Sequence, residues 1–544
     1  MRLLERCFPG LFALALGATA LTASAQAAQA PNGVQNAMYF RSAPQDAPDC
    51  QPRFVNGQVD WGSIANPAAT CPDAFGWVSF LQAIEQEFWL WATDQTLWPA
   101  TPKPICATGK SGPDCCDPQA MAQTPPYRGK PDPACPYFPP DWTDAPELSS
   151  TTARLTRSHQ FGFLRSIDPA RILRQEEAEI VFRNRSFVRY TFEQNLYTKE
   201  GLGARFAATS NWTAANAPYR NRALQVSYPS DAVMFKADFI SEKLMRENGL
   251  IRDIPGNPVP NNPEAPYISL MVDAQVGGSP DFKPGRYYLL AITAASKALP
   301  GWHWYAIEHV ANPGRCDYNG CNDSFGFTAL ARAPSGAELR QNFIAPHTAP
   351  AFESTTPGGT SAEVIFDLGK PYPPAQTGEQ ATSGLTALMR AMRIGQGRTL
   401  GTGNDPSLDD PAWNSYRLKG AQIDFVTAEG MEINLGASIT EGGFVSSASC
   451  MTCHSQAGPN ASGNPGMSGV GSQPRLSDIG YGQTVFGAPD LAWFYSYGTP
   501  QLISLQTDFV WGMLNANCAK PESGSGNCVS YEVAAPEAVV ENFK

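Results

Sequence analysis

Cys450-Met451-Thr452-Cys453-His454 is the one stretch of this 544-residue chain whose residue types and spacing specify a particular chemistry. Two thiols three positions apart can form paired thioethers with the two vinyl groups on one porphyrin edge. The adjacent imidazole then comes up beneath the iron as its proximal ligand. C-x-x-C-H is thus the attachment signature of a c-type haem. It occurs once among 13 Cys and 5 His, which makes coincidence a poor rival. Zinc is the competing chemistry, since Cys-x-x-Cys opens many zinc sites, but no second such pair or spaced histidine pair lies nearby to complete one. The pentapeptide therefore reads as one covalent haem c held by Cys450, Cys453 and His454.

The iron's sixth position decides what such a haem does. A Met or His there makes an electron carrier, whereas an open position admits peroxide or oxygen chemistry. Met467, 13 residues beyond His454 in a Gly-rich stretch, is the first candidate; Met513 and Met431 are others. Met513 follows an apolar run and reads equally as core filler. Among histidines, His309 is the best placed, with Glu308 beside it as a hydrogen-bonding or proton-relay partner. Adjacent strand residues point to opposite faces, however, which weighs against the two acting together. His159, His303 and His347 have no supporting context.

The first residues match this chemistry. Arg2, Glu5 and Arg6 precede an apolar stretch over 11–21, and Ala23-Ser24-Ala25 offers a small-residue cleavage site, so 1–25 reads as a secretory signal peptide. No later apolar run reaches a membrane span. The expected location is periplasmic or secreted in a bacterium. Setting aside Cys7 and the two motif cysteines leaves ten, an even number suited to disulfides in an oxidising compartment. Cys50 with Cys71, Cys316 with Cys321, Cys518 with Cys528, and bridges among Cys106, Cys115, Cys116 and Cys135 are sterically reasonable closures. A net charge of −11 argues against nucleic acid as a partner. It suits a basic redox protein, and equally it serves solubility.

Three stretches have to position the motif. Residues 31–150 are rich in Cys and Pro, with one aromatic helix expected over 75–94, whose Trp77, Phe80 and Phe88 read as core. Residues 151–436 read as strand-rich, with strands over 186–196, 231–240, 267–273, 286–294, 303–310, 362–368 and 416–426. Helices are expected over 168–184, 334–343 and 384–393, with the charged 175–179 segment as a solvated helix face. Residues 437–544 form a haem c segment and tail. Gly395-Gln396-Gly397 comes after a helix and lacks nucleotide-loop spacing. The expected class is α+β, a sandwich or barrel-like strand-rich core with helical insertions and a C-terminal haem segment.

Four segments together resemble a known group. Trp304-Tyr305-Ala306-Ile307-Glu308-His309-Val310-Ala311-Asn312 looks like the W-x-x-x-E-H-V-x-N segment of large secreted bacterial haem c proteins. Tyr416-Arg417-Leu418-Lys419-Gly420-Ala421-Gln422, the pentapeptide with its flanks from Ser449 to Ala457, and Thr507-Asp508-Phe509-Val510-Trp511 are similar to its other patterns. The group is known as the cytochrome c family, or cytochrome c domain-containing proteins. The resemblance implies a haem protein without naming a substrate, with Trp304, His309 and 416–422 in the haem's surroundings. Two function classes are compatible with it. One is an exported cytochrome passing electrons to or from a redox partner protein in the bacterial envelope. The other is a monohaem peroxidase or oxygenase with a pocket for a small-molecule substrate in the strand-rich core. The length of the chain speaks for the second, and the single motif argues against a dihaem peroxidase.

Overall fold

The computed structural model describes residues 45–119, 131–141, 177–215, 226–272, 284–312, 315–316, 320–328, 343–344, 351–353, 363–365, 380–428, 430, 433–441, 448–464, 487–489, 493–496, 501–522 and 528. The expected signal segment, Met431, Met467, His159, His347 and residues 334–342 of the helix expected over 334–343 lie outside the described residues, and Phe343 is extended.

Predominantly buried, apolar-rich segments form one antiparallel sheet of six strands. These are β1 (Glu177–Arg183), β2 (Val233–Ser241), β3 (Ser269–Val272), β4 (Gly285–Ser296), β5 (His303–His309) and β6 (Tyr416–Gln422). The order is β6-β5-β4-β2-β1, with β3 paired to the N-terminal end of β4. The fold is α+β, and the expected barrel is corrected: among the described residues the sheet is open. Among the described residues the remaining strands form only two-stranded ribbons.

Each face of the sheet carries its own core. On one, Ile180, Phe182, Phe235, Phe239, Ile292, Tyr305, Ile307 and Leu418 meet Trp77, Phe80, Leu81 and Ile84 of helix α1 (Pro72–Glu85). On the other, Met234, Ala295, Trp304 and Ala306 meet Phe187, Val188 and Phe192 of α2 (Arg185–Glu193), together with Cys450 and Met451. Both cores combine residues that lie in different stretches of the sequence, because the strands recruit whichever apolar face is long enough to cover them.

Local signals explain the differences from expectation. Residues 177–183 form β1 and not a helix, because Ala178, Ile180 and Phe182 alternate into the core and outweigh the helix-forming glutamates. Glu179 on this strand reaches Lys236 at 3.2 Å. Residues 186–196 are largely helical, not extended. Phe187, Val188, Thr191 and Phe192 repeat with helical spacing, and the Asn184 side chain caps the helix by accepting from Phe187 N at 3.2 Å. The aromatic helix ends at Glu85, and Phe88–Leu90 continue as a single 3-10 turn.

Five disulfides staple the loops: Cys50–Cys71, Cys106–Cys115, Cys116–Cys135, Cys316–Cys321 and Cys518–Cys528. Adjacent Cys115 and Cys116 take different partners. Only Cys450 and Cys453 remain unpaired among the described cysteines. No helix among the described residues is long and apolar enough to cross a membrane. Peptide mapping of the unreduced protein is expected to return these five cross-links, each unchanged in a Cys450→Ala/Cys453→Ala variant. A link joining Cys450 or Cys453 to any of the ten would contradict the fold.

Candidate functional site

The pentapeptide forms a six-residue helix, α3 (Cys450–Ser455). A helix this short is unstable alone in water, so its ends must be held by other parts of the chain. At its start, Ser449 Oγ accepts from Thr452 N at 3.3 Å and Gln422 Oε1 accepts from Met451 N at 3.2 Å. The other end of the Gln422 amide donates to Ser449 Oγ at 2.9 Å and to Ile433 O at 3.1 Å. At the helix end, Trp511 Nε1 donates to Cys453 O at 3.1 Å, Trp493 Nε1 to Gln456 O at 2.7 Å, and Thr507 Oγ1 to Ala457 O at 3.0 Å. Donors and acceptors that every helix terminus leaves unpaired are thus satisfied by residues distant in sequence.

On this helix Cys450 and Cys453 share a face, one turn apart. Cys450 is buried, and its thiol donates to Leu435 O at 3.4 Å; Cys453 is partly exposed. Burial, reinforced by Glu441, raises the Cys450 thiol well above its ordinary value, and burial pushes Cys453 up to about 12. Both are therefore protonated at neutral pH, the opposite of the lowered value that marks a reactive nucleophile or redox thiol.

His454 is held through one nitrogen. Its Nδ1 lies 2.9 Å from Phe509 O, and a carbonyl can only accept, so Nδ1 carries the proton and Nε2 keeps its lone pair. The indole of Trp304 packs against the ring, with centroids 4.5 Å apart. Burial lowers the imidazole to about 4, which keeps it neutral at pH 7. An Nδ1–H donated to a backbone carbonyl is the arrangement that orients an imidazole for metal ligation through Nε2. Two unpaired thiols one turn apart with such a histidine fit the attachment chemistry of a c-type haem.

Strand register decides which other candidates reach this helix. In β5, Trp304, Ala306 and Glu308 point toward α3, while His303, Tyr305, Ile307 and His309 point to the opposite core. In β6 the pairing slips between Leu418 and Gly420, a bulge at Lys419. Lys419 lies on the Glu308 side, and the extra residue reverses the phase of the rest of the strand. Gln422 therefore sits opposite Trp304 and faces the pentapeptide. Gln422 and Trp304 are both brought to the motif in this way.

The same alternation puts Glu308 and His309 on opposite faces of β5. His309 Nδ1 accepts from Ala311 N at 3.1 Å and Nε2 donates to Pro266 O at 3.1 Å, so both ring nitrogens are committed. Its ring stacks on Tyr267 at 3.5 Å. Glu308 is also fully engaged: it accepts from Ser438 N and Oγ at 2.8 and 3.0 Å and from Asn312 Nδ2 at 3.0 Å, and Lys419 Nζ lies at 3.4 Å. Met513 packs in the core with Trp304, Cys450 and Met451. His303 is buried on the far face, bonded to Pro72 O at 2.8 Å.

Residues outside the sequence motifs also shape the site. Lys236 and Glu441 act electrostatically on both thiols, and Leu435, Trp493 and Gly301 touch or bound the helix. No local pattern marks them, since they meet α3 only through the sheet and its loops. Comparison with protein-family profiles, with curated proteins and with solved structures finds no match.

Two outcomes are expected from this geometry. Gln422→Leu removes an acceptor from the helix start and leaves Met451 N and Ser449 Oγ short of partners, with an expected loss of about 1–3 kcal/mol in urea unfolding. A loss confined to a few tenths would show that Ser449 alone holds the helix. His309 has its imidazole lowered to about 3 by burial. Below about pH 6.5 the unfolded chain takes up a proton there that the folded chain refuses. Stability is then lost as pH falls from about 6.5 toward 3, by up to roughly 1.4 kcal/mol per pH unit. Buried Asp46, raised to about 6, and Asp323, raised to about 7, act in the opposite direction. The measurement is therefore a comparison: His309→Gln should lose less stability than wild type between about pH 6.5 and 4, and parallel curves would refute the assignment.

Proposed function

We propose that this chain is an exported c-type cytochrome carrying one covalent haem on Cys450 and Cys453, with His454 as proximal ligand, and that it transfers electrons in the bacterial envelope. The observation that carries the proposal is the division of the cysteines. Ten are locked in five disulfides, while the two of C-x-x-C-H stay unpaired on one helical face beside a histidine whose Nε2 bears its lone pair. Five disulfides also agree with an oxidising compartment.

A haem bound here would supply an iron centre able to take up and release one electron. The chain's own residues do the positioning. Cys450 and Cys453 offer the two thioether sulfurs, and Phe509 O keeps the proton of His454 on Nδ1. Trp304 restricts the ring from one side, and the Gln422 and Trp511 hydrogen bonds hold the turn that carries all three groups. Electron transfer is preferred to the peroxidase or oxygenase reading for a specific reason: Glu308 and His309, the acid–base pair such an enzyme would draw on, are both committed to structural bonds.

The test is optical and covalent. After acid-acetone extraction the wild-type polypeptide should retain its haem, read as the reduced alkaline-pyridine spectrum. Cys450→Ala/Cys453→Ala should retain none. Complete extraction from wild type would overturn the proposal. With the sixth position closed by Met467 or another side chain, the ferrous spectrum is expected to be unchanged under carbon monoxide. Ready carbon monoxide binding with peroxide turnover would replace electron transfer by the monohaem enzyme.

A further inference from the structure

Phe509, whose carbonyl fixes the tautomer of His454, occupies an unfavourable backbone conformation. Asp508 and Phe509 have φ of 51° and 68°, two consecutive non-glycine residues in the left-handed region. For a bulky residue such as Phe this conformation is strained and persists only where surrounding contacts over-determine it. The contacts here converge on the Asp508 carboxylate. Oδ2 accepts from Tyr228 N at 2.7 Å, and Oδ1 accepts from Lys297 Nζ at 2.6 Å and Trp302 Nε1 at 3.3 Å. The ion pair is almost wholly buried, with side-chain exposures of 8% for Lys297 and 7% for Asp508.

The other half of this clamp is the turn between β4 and β5. Lys297 also donates to Pro300 O at 2.8 Å, and its ammonium lies 5.6 Å from the centre of the Trp302 ring. Trp302 itself has a φ of 62°. Gly301 O accepts from Trp304 Nε1 at 3.0 Å, and a methyl group at Gly301 would come within 2.8 Å of Met451 Cε. One hairpin turn thus touches the motif helix at Met451, places the indole that packs on His454, and anchors the strained turn that supplies its hydrogen-bond acceptor.

We infer that Lys297 and Asp508 are positioning residues for His454: their buried ion pair holds the 508–509 turn in its strained conformation, aims Phe509 O at Nδ1, and thereby keeps Nε2 available as the ligand atom. The inference deepens the cytochrome reading and rests on it for its functional meaning, while the geometry belongs to the chain itself. A chain with the same fold but a relaxed turn would leave His454 free to exchange tautomers, and Nε2 would then be protonated part of the time.

The test uses the full-length protein labelled with nitrogen-15 histidine. In wild type the ring nitrogen shifts of His454 should report protonated Nδ1 and unprotonated Nε2, with slow exchange of the Nδ1 proton. Lys297→Met/Asp508→Asn removes both charges, so neither is stranded in the core. It should exchange that proton on the order of tenfold faster, the equivalent of one lost hydrogen bond. Lys297→Gln removes only the ammonium and keeps a donor beside Asp508, and should give a smaller acceleration of the same sign. Arg246→Ala, in an exposed ion pair with Glu242 and Asp253, should change nothing. An unaltered exchange rate of the Nδ1 proton in either folded Lys297 variant overturns the inference. Absence of haem from wild type in the alkaline-pyridine assay would defeat the cytochrome reading alone, since the imidazole signals still decide this one.

Discussion

A six-residue helix depends on its surroundings for stability, and the chemistry proposed for this protein sits on one. The hydrogen bonds that hold α3 come from four places: the end of β6, the residue preceding the helix, an indole at 493 and the 507–511 turn. Each satisfies a backbone group that the helix cannot satisfy itself. The sheet, its two cores and the disulfide-stapled loops can be understood as the frame that keeps those partners in place.

Within the sheet, the bulge at Lys419 has the largest consequence. A strand without it would turn Gln422 to the far core, where its amide would have no helix terminus to serve. Lys419, at the bulge, pairs with Glu308 at side-chain exposures of 1% and 0%. Burying two charges is costly unless their remaining bonding capacity is used, and here Ser438 and Asn312 supply the further donors to Glu308. The acid is thus consumed in closing the sheet edge next to the motif. This is why a Glu-His dipeptide that looks catalytic in the sequence serves the architecture in the fold.

Burial has a uniform effect on the titratable groups of α3. Cys450 and Cys453 are held as thiols and His454 as a neutral imidazole. That combination suits residues that bind and orient a prosthetic group better than residues that attack a substrate. The hydrogen bond to Phe509 O then adds direction, selecting which ring nitrogen is left as a donor to a metal. Local strain in the 508–509 backbone is compensated by an ion pair from the β4–β5 turn, so the tautomer of one histidine is tied to a lysine far from it in sequence.

Several features are legible from residue order alone. The spacing of Cys450, Cys453 and His454, the even count of the other cysteines and the period-two alternation of 233–240 each depend on composition or near neighbours, so the sequence displays them directly. Short closures such as Cys316–Cys321 are readable for the same reason. Residues 177–183 and 186–196 depart from their local signals, because helix-forming glutamates and β-favouring aromatics give way to the periodicity of the core they cover. Only the tertiary structure could turn Gln422 toward α3 and bring Phe509 to His454. Those relations rest on strand register, a bulge and a buried ion pair, interactions between segments whose distance along the chain carries no information about their distance in space.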